Sequence, residues 1–161
     1  MFNLATLAVV GYVAERALGP ARWVVLYAAG AAAGEVTGYL LNDPGAGNSI
    51  AVCGLAGGGA LALSALERSV GARYAVMVGF SAFAGSTLGA IVMVAGCAAA
   101  VLLVVHRDRV PASALAAAPL VVGLALAAVP DLHGPALLGG LIAGWVTNGM
   151  FPSTPRSAPL A

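Results

Sequence analysis

Three polar residues in an otherwise apolar chain have side chains suited to acyl transfer: Asn3, Ser49 and His133. A serine hydroxyl becomes a nucleophile when a neighbouring imidazole takes its proton. A side-chain amide, together with an N–H in a first helical turn that has no helical acceptor, can hold the oxyanion that results. Ser49 opens one apolar stretch and His133 opens another. On spacing alone the plainer reading is favoured, with Ser49 an N-cap after Gly47-Asn48 and His133 a loop histidine beside Asp131. Glu35 is a candidate polar neighbour of the same site. It lies six residues before Leu41, so about 9 Å below that end of its helix at 1.5 Å per residue. An ionisable group at such depth in an apolar segment is a functional candidate. The alternative for Glu35, a protonated carboxyl bonded to a neighbouring helix, is equally open. Cys53 and Cys97 sit in apolar runs with no Cys-x-x-Cys partner, and they read as small buried hydrophobes. No metal, nucleotide or other cofactor is implied.

The elements that must position these residues are membrane helices. Of 161 residues, 61% are hydrophobic and 8% charged, with a mean hydropathy of +0.98. Soluble domains carry about 25% charged residues, and no soluble fold of this length hides so much apolar surface. The net charge of +1 leaves no electrostatic footprint for nucleic acid. The 22 glycines suit close helix packing in a bilayer rather than linkers. A span needs about 20 mostly apolar residues, and the expected architecture is an all-α polytopic bundle of about seven. Its spans are expected at 3–15, 22–41, 49–66, 74–86, 88–105, 112–129 and 133–150. Segment 72–105 reads either as one long helix or as a hairpin turning near Gly85-Ser86-Thr87. With the hairpin, all seven arginines (there is no lysine) share one side, while Asp43 and Asp131 fall on the other. The positive-inside rule therefore favours the hairpin, a C-terminus in the cytoplasm, and Asn3, Ser49 and His133 at the outer face. Because Glu15-Arg16 stand where a cleavage site would be, the first apolar run is expected to be a mature span rather than a signal peptide. Residues 1–150 form the transmembrane domain, and 151–161, with Pro152, Pro155 and Pro159, a short disordered cytoplasmic tail.

Three stretches resemble the rhomboid intramembrane serine proteases. Asn3-Leu4-Ala5-Thr6-Leu7 through Gly11 to Glu15-Arg16-Ala17-Leu18-Gly19 is similar to the family's second helix, which begins at an oxyanion-binding Asn and ends in Gly-x-x-x-Glu-x-x-x-Gly. Gly47-Asn48-Ser49-Ile50-Ala51-Val52-Cys53-Gly54-Leu55-Ala56-Gly57 resembles the Gly-x-Ser-Gly nucleophile motif and the Gly-Leu-x-Gly helix after it. His133-Gly134-Pro135-Ala136-Leu137-Leu138-Gly139-Gly140-Leu141-Ile142-Ala143-Gly144 resembles the last core helix, with its Leu-Gly-Gly and Gly-x-x-x-Gly face. There are departures. The family's first helix and its His four residues before the Asn would fall before Met1. The Gly after the nucleophile is Ile50, and the aromatic one turn on is Cys53. By the Gly-x-x-x-Gly register, the family's catalytic His position is Leu137. His133 lies one turn earlier, about 5.4 Å along the axis, which is expected to be too far from the serine unless the helix shifts or the serine also sits higher.

The resemblance implies a Ser–His dyad of Ser49 and His133, with Asn3 and the Ser49 N–H as oxyanion donors. The leading expectation is an intramembrane serine endopeptidase that cleaves transmembrane helices in a bacterial plasma membrane. The alternative is a catalytically inactive relative that binds transmembrane clients. Less favoured is a small transporter using Glu35, because neither half of the chain repeats the other. The expected partners are transmembrane proteins and the lipid bilayer.

Overall fold

The computed structural model describes residues 2–42, 47–65, 98, 102, 105–106, 109, 112–129 and 131–150. Within them are five long helices: α1 (Phe2–Leu18), α2 (Pro20–Leu41), α3 (Asn48–Ala65), α4 (Ala112–Ala128) and α5 (His133–Met150). These correspond to five of the seven expected spans. The expected helices at 74–86 and 88–105, and the tail at 151–161, lie outside the described residues apart from isolated positions. By length and composition, α2 is a helix that can cross a membrane; at 1.5 Å per residue it is about 33 Å long.

The first boundary differs from expectation. Helix α1 continues through Glu15-Arg16 to Leu18, and α2 starts at Pro20, so the break is the single residue Gly19. Gly19 has φ +83° and ψ 163°, a conformation that L side chains rarely adopt. Pro20, whose fixed φ suits a first helical position, then starts α2. At its other end, α2 stops at Asn42, which takes the left-handed conformation at φ 54° and returns its N–H to the Gly38 and Tyr39 carbonyls.

Glycine sets how closely the helices approach. Gly30 of α2 lies against Gly54 of α3 so tightly that a Cβ on Gly30 would come 2.4 Å from the Gly54 Cα. A Cβ on Gly140 of α5 would meet the Gly54 carbonyl oxygen at 2.0 Å, and one on Gly144 would meet the Gly58 oxygen at 2.8 Å. Helix α3 is therefore clamped between α2 and α5. Gly30 meeting Gly54 and Gly34 meeting Ile50 make α2 and α3 antiparallel, whereas Gly54 with Gly140 and Gly58 with Gly144 make α3 and α5 parallel.

Small residues lie at the closest helix contacts beside buried Leu26, Leu55 and Leu137, and many large apolar side chains face outward. Ala14, Ala56, Ala60 and Ala136 are fully buried, while Leu4, Tyr39, Leu40, Ile142 and Trp145 are exposed. Lipid tails give helices no hydrophobic reason to associate, so close packing of small residues holds them together and large apolar side chains face outward.

Candidate active site

Helices α3 and α5 start at the same end of the bundle, and Ser49 and His133 stand in their first turns. The His133 Nε2 lies 3.2 Å from Ser49 Oγ, within the range of a nucleophile–base hydrogen bond. The expectation that one turn would separate them does not hold in this geometry, and the glycine contacts give the reason. Gly58 meets Gly140 at an offset of 82 positions, and Gly54 meets Gly140 at 86. The 84 positions between Ser49 and His133 fall between these values, so the two side chains are level. Leu137 is one turn too deep. It is buried instead, in one cluster with Cys53, Ile50, Leu126, Leu132 and Ala136.

Behind the imidazole, His133 Nδ1 lies 2.7 Å from Asp131 Oδ1, and the same oxygen accepts the His133 backbone N–H at 2.9 Å. The turn bearing Asp131 is tied at both ends. The Asp131 N–H donates to the Leu126 carbonyl of α4, and the Asp131 carbonyl accepts from the Gly134 N–H. Gly134 is pressed on α4 so closely that a Cβ there would come 2.3 Å from the Ala127 nitrogen. Side-chain exposures of 25% for His133 and 17% for Asp131 leave the pair within reach of water. Sequence reasoning placed Asp131 beside His133 only as the sign of a loop. The signal available was Asp-x-His before a helix, which is also what an ordinary helix start looks like.

The serine's surroundings answer two of the departures from the rhomboid pattern. Ile50, at the position of the motif's glycine, turns into the core and is 1% exposed. Its Cγ2 occupies the space where a side chain on residue 34 would start, 1.9 Å from the Cβ that Gly34 lacks. Cys53 lies in the same buried cluster as Leu137, so the turn below the Ser–His contact is filled by apolar packing. Asn48, just before the serine, accepts a hydrogen bond from the Tyr27 hydroxyl, and Tyr27 stacks on Trp23 with ring centroids 5.0 Å apart.

Glu35 is exposed on α2, one position round from Gly34, which faces Ile50. Asn3 stands in the first turn of α1, and its side chain lies outside the described residues. Among the described residues, no cluster of histidine, cysteine and carboxylate side chains suits a metal ion.

A Rhomboid domain family model matches residues 1–65, the stretch that contains α1, α2 and α3 with Asn3 and Ser49. No curated protein and no solved structure matches the chain.

Proposed function

We propose that the chain, whose residues 1–65 match the Rhomboid domain family model, is a membrane protein of that family and an intramembrane serine endopeptidase. Ser49 Oγ attacks a peptide carbonyl in or near a client's transmembrane helix. His133 Nε2 takes the serine proton and delivers it to the leaving amine. The resulting acyl-enzyme is hydrolysed by water entering from the half-exposed helix starts. The Ser49 N–H and the Asn3 amide are the proposed oxyanion donors. In this reading the site faces the outer side of a bacterial plasma membrane, and the C-terminus lies in the cytoplasm.

The observation that supports the reading most is the 3.2 Å contact between Ser49 Oγ and His133 Nε2, made across two helices that are far apart in the chain. The test is cleavage of a reporter transmembrane helix in proteoliposomes. Ser49→Ala and His133→Ala are each expected to lower cleavage by at least about a thousandfold, as removal of a nucleophile or its base does in other serine hydrolases. Full activity in Ser49→Ala would sink the proposal. Departures at Ile50 and Cys53 motivate the second reading, an inactive client-binding relative. A fluorophosphonate probe separates the two: labelling at Ser49 excludes the inactive protein, and an unreactive Ser49 in folded protein supports it.

A further inference from the structure

The contact behind the imidazole has a role that a two-residue mechanism leaves unassigned. An ionised carboxylate can only accept hydrogen bonds, so the 2.7 Å approach of Asp131 Oδ1 requires the proton of a neutral His133 to sit on Nδ1. The Nε2 lone pair is then directed at Ser49 Oγ, 3.2 Å away. This is the tautomer a general base needs. The carboxylate does not depend on the ring for its own place. It also accepts the His133 backbone N–H, and its turn is tied to α4 through Leu126. The catalytic imidazole is thus held from behind by a group that the backbone already fixes.

We propose that Asp131 is a positioning residue, and that the Ser49–His133 pair works as a Ser–His–Asp arrangement. The inference rests on the protease reading above. As the Oγ–C bond forms, the hydroxyl proton moves to Nε2, and the imidazolium is stabilised by the Asp131 carboxylate, which stays ionised. The Nε2 proton then passes to the amine nitrogen as the C–N bond breaks. In deacylation, a water proton goes to Nε2 and returns to Ser49 Oγ as the ester opens.

Two substitutions separate this role from helix capping. Asp131→Ser keeps an oxygen for the His133 backbone N–H, since serine is a good N-cap, but it is too short to reach Nδ1. Asp131→Asn keeps the acceptor oxygen and loses the charge. With the full chain in proteoliposomes, Asp131→Ser and Asp131→Asn are each expected to lower kcat by at least about a hundredfold with little change in KM, the Asn variant because its amide N–H can donate to Nδ1 and favour the wrong tautomer. The chain has two histidines, so 15N-histidine NMR in detergent micelles, assigned through His106→Gln, reads His133 directly. The expected signature is an Nδ1-protonated ring in the parent protein and loss of that preference in Asp131→Ser. A kcat unchanged in Asp131→Ser, while Ser49→Ala is inactive, would overturn the proposal and leave the protease reading standing. An unchanged His133 spectrum in Asp131→Ser would also overturn it. Failure of the protease reading looks different, because Ser49→Ala would then retain cleavage. The NMR measurement needs no activity and still decides whether Asp131 sets the tautomer.

Discussion

Around Ser49 the deciding quantity is the room left for a substrate carbonyl. Gly47 is exposed, and a methyl group there would lie 3.6 Å from Ser49 Oγ. Its absence keeps that side of the hydroxyl open, while Ile50 on the next position points into the core. Gly47→Val is therefore expected to cut fluorophosphonate labelling of Ser49 by at least about tenfold, because a branched side chain stands where the acylating group must approach. Circular dichroism should stay unchanged, since residue 47 lies outside α3. Equal labelling of the two proteins would show that approach is from another side. Ser49 and His133 stood out by residue type, but their places at the starts of apolar runs favoured an N-cap and a loop histidine, and only the rhomboid resemblance paired them. The outward position of Glu35 was not legible, because depth along a helix says nothing about which way the side chain faces. It is exposed while its neighbour Gly34 takes the inward position.

Among the helices, register decides which side chains meet. The sequence shows Gly-x-x-x-Gly spacing in α5 but not which glycine of α3 each one finds. That depends on where two smooth surfaces reach their closest approach, and no periodicity within one helix encodes it. Counting from the family pattern puts the base at Leu137, whereas the contacts of Gly140 with Gly54 and Gly58 put His133 level with the serine. A base moved to the inherited position should then fail. In a His133→Ala background, adding Leu137→His is expected to restore less than about 1% of cleavage, since the new imidazole would start one turn, about 5.4 Å, too deep. Recovery of activity in that double variant would show that α5 slides, and the glycine register would lose its explanatory role. The short joint between α1 and α2 was only partly legible. Gly19-Pro20 marked a break, but Glu15-Arg16 suggested one three residues earlier, and helix propensity carried α1 through that charged pair.

For the molecule as a whole, cohesion rests on backbones in contact. An alanine at Gly140 would place its Cβ 2.0 Å from a Gly54 oxygen, and no rotamer change relieves a clash with backbone. Gly140→Ala is expected to destabilise the bundle by about 1–3 kcal/mol or more, read as a lower midpoint of thermal unfolding in detergent. Gly149→Ala, with nothing within 4 Å of the added carbon, is the matched control and should be neutral or slightly stabilising. Equal midpoints for the two variants would mean that the helices already sit further apart. Membrane residence was legible at this scale because composition alone carries it, and the all-helical architecture followed. The parallel course of α3 and α5 has one more consequence. Each helix carries a partial positive charge at its start, equivalent to roughly half an elementary charge. With two starts side by side at Ser49 and His133, the positive ends of both macrodipoles lie at the same end of the bundle and their fields add there. That field is supplied by peptide groups alone.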